Sequence, residues 1–206
     1  MSFILQILIV FTSCSFLSCQ NGNYLKPISE GEIIDNLYWN EDLNWKMKIP
    51  NDWKIVDNTQ NKGAEQEMLN EIEKTANRKF DVSKAVDLID LTKDDFNSFQ
   101  STAEPNQLES KNDIVENNLI VKNTLYKTYQ NINISIDSTK TEKIKIDGVD
   151  FETYKFIIYD DLGNTLMVQE IFCGIVKGTY LTVNINSNND IDKNIIKNSW
   201  LNSTFR

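Results

Sequence analysis

The chain has 206 residues, 40% hydrophobic and 25% charged, with a formal net charge of −9, a length that suits one domain able to bury its own core. The acidic balance repels a phosphate backbone, excludes a nucleic-acid partner, and places any membrane contact on a leader or a lipid rather than a basic patch. The sequence contains no His, which excludes Ser-His-Asp and Cys-His catalysis and leaves carboxylate, Lys or Tyr chemistry open.

The first segment is an apolar run, Phe3 to Phe11, too short to span a bilayer comfortably. Thr12-Ser13-Cys14-Ser15-Phe16-Leu17-Ser18-Cys19 follows, and the chain turns polar from Gln20. This stretch resembles a bacterial lipoprotein signal, in which a large apolar residue and then a small one precede the cysteine that takes the lipid. Leu17-Ser18-Cys19 matches that order, so residues 1–18 are expected to be a signal peptide and Cys19 the lipidated residue. Cys14 is the alternative site, and an ordinary cleaved leader or an uncleaved anchor are the alternative fates. The start lacks the Lys or Arg that such leaders normally carry. Residues 19–36, interrupted by Pro27, Ser29 and Gly31, read as a flexible tether.

From residue 37 to 206 the patterning describes a single domain. Leu37-Tyr38-Trp39 opens a strand, and Leu43, Trp45, Met47 and Ile49 alternate with polar residues in a second. Gly63 to Lys79 carries Met68, Leu69, Ile72 and Ala76 at helical spacing. Ala85–Leu91 and Phe96–Thr102 read as strands around an Asp94-Asp95 turn. Asp113 to Gln130 is expected to be a helix with a capping-box start at Asp113 and Glu116. A strand-rich stretch follows: Ile132–Ile136, Ile144–Ile146, Phe151–Tyr159, Leu166–Val176 and Tyr180–Ile185, separated by short turns as in an antiparallel meander. Asn189 or Asp190 caps a last helix whose apolar stripe is Ile191, Ile195, Ile196 and Trp200. The expected class is α+β, a curved antiparallel sheet of about six to nine strands flanked by two or three helices.

That layout resembles the PsbP/Mog1-type fold, an α/β/α sandwich also seen in small bacterial lipoproteins. The segments that carry the resemblance are Leu43-Asn44-Trp45-Lys46-Met47-Lys48-Ile49-Pro50-Asn51-Asp52-Trp53, Ile146-Asp147-Gly148-Val149-Asp150-Phe151, and Tyr180–Ile185 followed by an Asp-capped helix and Phe205. The resemblance covers residues 37–206 and implies a binding or assembly role, because members act mostly as binding or assembly factors. It carries no catalytic motif.

The residues support no catalytic, metal or cofactor assignment. Asp160-Asp161 and Asp150 could offer oxygens to Ca²⁺, but the calcium-loop spacing is missing and a hairpin turn explains the same residues. Cys173 sits in an apolar run and reads as a small buried hydrophobe. Three of the four Trp residues, Trp39, Trp45 and Trp53, lie near the amino-terminal strands. Buried packing is the ordinary role of such residues, and Trp39 or Trp53, if exposed, would anchor a protein partner. The expected function is a non-enzymatic protein-binding or assembly module, lipid-anchored at a bacterial cell envelope. The alternatives are an immunity-type lipoprotein that neutralises a toxin and a hydrolase using carboxylates.

Overall fold

A computed structural model describes residues 27–56, 62–105 and 111–206; the expected signal peptide and Cys19 lie outside the described residues. Two sheets divide the strands. β1 (Glu32–Ile34), β2 (Leu37–Asn40) and β3 (Trp45–Lys48) pair antiparallel in that order. The second sheet has nine strands: β4 (Lys54–Ile55), β5 (Val86–Asp87), β6 (Leu91–Thr92), β7 (Ser98–Pro105), β8 (Ile136–Ser138), β9 (Glu142–Ile146), β10 (Val149–Tyr159), β11 (Thr165–Val176) and β12 (Thr179–Ser187). Their order is β4-β6-β7-β12-β11-β10-β8, with β5 also on β7 and β9 also on β10. The helices are α1 (Lys62–Ala76), α2 (Lys111–Asn131) and α3 (Asp190–Leu201).

The large sheet is covered on both faces. On one, Phe99, Phe151, Phe172, Val183 and Ile185 meet Trp45 of β3 and Trp200 of α3 in a single buried cluster. On the other, Tyr154, Phe156, Ile158, Met167 and Ile171 meet Met68 and Ile72 of α1 and Val121, Leu125 and Tyr129 of α2. The layers are therefore α1 and α2, then the nine-stranded sheet, then α3 beside the three-stranded sheet. This is the α+β sandwich anticipated above. Because both faces are covered, β11 and β12 are buried along nearly their whole length, including polar Gln169 and Glu170 of β11 and the Thr182, Asn184 and Asn186 that alternate with apolar residues in β12.

Several expectations are corrected. Residues 28–36, expected to belong to a flexible tether, are built into the fold. Ile28 packs against the first cluster, the Tyr38 hydroxyl donates to the Glu30 carbonyl at 2.8 Å, and Glu32–Ile34 pairs with β2. The first strands form a sheet of their own, since the far side of β3 is taken by the chain end, where Lys46 and Thr204 exchange two backbone hydrogen bonds. Ala85–Leu91 is two short strands. Between them the Ser101 hydroxyl accepts from Ile89 N–H and donates to its carbonyl, replacing regular ladder bonds. Residues 132–135 are not a strand despite their alternation. Ile132, Asn133 and Ile134 donate back to the end of α2, and Asn133 takes a left-handed φ of 60° that Asn tolerates. In α3, Ile196 and Trp200 are buried but Ile191 and Ile195 are exposed, because the helix crosses the sheet on one narrow stripe. Its cap is as expected, with the Asn189 side chain accepting from Asp192 N–H.

Candidate functional site

Two features of the outer surface stand out, and they lie on different elements. The first is a cleft of about 440 Å³ at the sheet edge. It exists because β8 and β9 share one edge of β10 and leave a break between them. At the break Thr139 clips onto β10: its N–H donates to the Lys155 carbonyl and its hydroxyl accepts from Lys155 N–H. Lys122 of α2 donates to the Thr139 carbonyl and fixes the same turn from the other side of the sheet. Phe172, Ile144 and Leu201 give the cleft apolar surface, and Lys140, Lys145, Lys155 and Lys197 surround it with ammonium groups.

Glu170 organises two of those lysines, Lys155 and Lys197. It stands directly opposite Lys155 in the β10–β11 ladder and is 4% exposed. Its Oε1 accepts from Lys197 of α3 at 2.7 Å and lies 3.8 Å from Lys155 Nζ. Its Oε2 and the Thr153 hydroxyl, both buried in the lining, have no hydrogen-bond partner among the described residues. The Lys197 ammonium also lies 5.9 Å from the centre of the Phe172 ring. Lys145 is committed to Asp150 at the mouth. Chemically the cleft offers fixed ammonium donors beside apolar surface. Its two glutamates, Glu142 and Glu170, differ in setting, because Glu170 is held between two lysines.

The opposite face of the sheet carries a buried polar chain under α2. The Tyr180 hydroxyl donates to Asn118 Oδ1, and Asn118 Nδ2 donates to Glu152 Oε2 at 2.8 Å. Cys173 lies beside Tyr180; burial pushes its thiol up to about 11 and raises the Tyr180 phenol well above its ordinary value. Burial also pulls the Lys122 ammonium below its usual range, its Nζ lying 5.3 Å from the Tyr154 ring centre. A thiol raised this far is a poor nucleophile, and the buried chain beside it reads as packing.

The second surface feature is the outer face of the three-stranded sheet. Register places Glu32, Trp39 and Lys46 in one cross-strand row and Ile34, Leu37 and Lys48 in the next. Trp39 is 36% exposed, and Ile34 and Leu37 are exposed on the same face. Lys46 Nζ sits 5.5 Å over the Trp39 ring, a cation–π contact across the strand pair. Of the two tryptophans expected to anchor a partner, only Trp39 is placed to do so. Trp53 is buried in the first cluster, because Asp52 turns with a φ of 67° and swings the next side chain inward. Asp160 accepts from Leu162 N–H and Asn164 N–H within the hairpin loop. Among the described residues no cluster of three or more Cys, Asp or Glu could hold a metal ion.

The sequence reading missed the cleft altogether. Its residues come from the turn at 139–140, from β9, β10 and β11, and from α3, with no fixed spacing. The available signal was the pair Lys155 and Glu170, charged residues inside long, largely buried strands. A charge in such a strand requires a partner or a function.

No family model matches the sequence, and no curated protein matches it. Solved structures do. The chain is similar to the solution structure of cyanobacterial PsbP (CyanoP) from Synechocystis sp. PCC 6803, with a TM-score of 0.57 and 10% identity, over 93% of this chain and 99% of that one. At that identity the likeness establishes the architecture, which is PsbP-like, and nothing about residues. No helix among the described residues is long and apolar enough to cross a membrane.

Proposed function

We propose that this chain is a non-enzymatic binding module, held at a bacterial cell envelope by lipid on Cys19, that engages a protein partner through the outer face of the three-stranded sheet. The observation that carries the partner reading is the Trp39 face. A large aromatic stands among exposed Ile34 and Leu37 and is rimmed by Glu32, Lys46 and Lys48, the apolar centre and charged rim of an interface hot spot. The PsbP-like fold suits such a role, and the apolar run that leads into Leu17-Ser18-Cys19 supports the anchor. Lipid at Cys19 would present the domain from its amino-terminal side, where the short segment 20–31 leads into β1.

Crosslinking of the full-length tagged protein in intact membranes, with mass spectrometry of the captured species, tests the partner. One abundant partner is expected, lost in Trp39→Ala and retained in Leu162→Ala, a substitution at an exposed hairpin tip. Retention of the partner in Trp39→Ala would overturn the assignment of this face. Fatty-acid labelling tests the anchor: Cys19→Ala should abolish it and release the protein from membranes, whereas unchanged labelling moves the lipid to Cys14 or removes it from the account.

A further inference from the structure

We propose that the cleft between Thr139-Lys140, β9, β10, β11 and the end of α3 binds a small amphipathic anion, one carboxylate or phosphate group on an apolar body. This goes beyond the partner reading and uses none of the residues around Trp39, so each stands or falls alone. The argument begins with charge. In a chain of net charge −9, this concavity is lined by four lysines and two glutamates. With Lys145 taken by Asp150, Lys140, Lys155 and Lys197 remain, and Lys140 makes no ion pair among the described residues.

Surface lysines are ordinarily solvated and uninformative, but Lys155 and Lys197 are constrained. Lys155 and Lys197 are drawn to one carboxylate oxygen of Glu170, a group more than nine-tenths buried whose second oxygen has no partner. One buried negative charge shared by two ammonium groups leaves a net positive site with fixed geometry. Each ammonium has three donors and spends at most one on Glu170. An anion between Lys140, Lys155 and Lys197 accepts the rest. Beside these groups lie Phe172, Ile144 and Leu201, which take an apolar body. The volume, about 440 Å³, falls in the small-molecule range. A neutral apolar ligand would strip water from the ammonium groups without replacing it, and a cation would be repelled.

Calorimetric titration of the full-length chain in neutral detergent, with hexanoate, hexyl phosphate and inorganic phosphate as probes, tests the site. Vesicles of phosphatidylcholine with and without phosphatidylglycerol, used with full-length Cys19→Ala protein, separate a lipid headgroup from a free anion. Saturable binding of hexanoate or hexyl phosphate, weaker by about tenfold in Lys140→Gln and in Lys197→Gln, is the expected result. Binding confined to phosphatidylglycerol vesicles and weakened by the same variants assigns the same chemistry to a lipid. Affinity unchanged in Lys140→Gln, or no saturable binding of any probe, overturns the proposal. Lys197→Gln leaves Glu170 undercompensated and can fail through folding, whereas Lys140 is exposed, so Lys140→Gln keeps the test decisive.

Discussion

Trp45 and Trp200 meet edge to face, with ring centroids 5.6 Å apart and planes at 85°. The contact ties the three-stranded sheet to α3 and seats both rings over Phe99 of the large sheet. Trp45 Nε1 donates to the Ser203 hydroxyl at 3.0 Å, whereas Trp200 Nε1 is buried without a partner among the described residues. Trp200 therefore contributes through packing alone, against Trp45, Phe151, Phe172 and Phe205. Trp200→Ala is expected to cost about 3–5 kcal/mol of stability. Trp200→Phe should cost clearly less, because no hydrogen bond is lost with the indole. Urea unfolding midpoints of the two variants check this; equal losses would mean that the indole nitrogen matters.

Asp90 should make stability depend on pH near neutrality. Its carboxyl accepts from Ser101 N–H at 3.4 Å, but burial, helped by the charge of Asp87, pushes its pKa up to about 7 from an ordinary 3.8. A carboxyl whose folded value lies above its unfolded one stabilises the fold fully below the unfolded value and loses that contribution as pH rises through the folded one. Stability is thus expected to fall between about pH 4 and about pH 7, by an amount on the order of a few kcal/mol. Asp90→Asn keeps the acceptor for Ser101 and should flatten this slope, leaving the variant more stable than the parent above neutrality. Parallel slopes for both proteins would remove Asp90 as the cause.

Gly174 tests the packing of β10 on β11. It lies opposite Phe151 in the ladder, and a Cβ at this position would sit 2.6 Å from Phe151 Cδ1 and 2.8 Å from the Asp150 carbonyl oxygen. The backbone oxygen cannot yield without moving β10. Gly174→Ala is therefore expected to destabilise by about 1–3 kcal/mol, read as a lowered Tm, and to disturb the Phe151–Trp200 contact.

Cys173 should be inert in the folded protein. It is buried, and its thiol is pushed up to about 11 by that burial, so little thiolate forms near neutrality and reagent cannot reach it. Iodoacetamide should label Cys173 only in denaturant. Labelling of the native protein at this position would show that the sheet opens at β11 far more readily than its buried pairing implies.

The strands of the meander were legible in the sequence because local alternation and short Asp-Gly or Lys-Gly turns leave each strand few other arrangements, as at Asp147-Gly148 and Lys177-Gly178. The alternation at Ile132–Ile136 misled, since a run of apolar residues at period two also fits a helix end followed by a turn, and the competing bonds back to α2 are visible only in space. Trp53 misled for a related reason: one left-handed residue, Asp52, decides which way the next ring points.

The sequence by itself determined the class of fold, the absence of histidine chemistry, the acidic surface and the candidate lipid site at Cys19. All of these depend on composition or on neighbours within a few residues. Only the tertiary structure decided that Trp39 is outside and Trp53 inside. It alone brought Lys140, Lys155, Glu170 and Lys197 to one cleft, because these residues meet through strand pairing and helix docking between segments with no common spacing. A charged residue in a strand announces that it needs a partner, and the identity of that partner is set by the register of the sheet and the helix that crosses it.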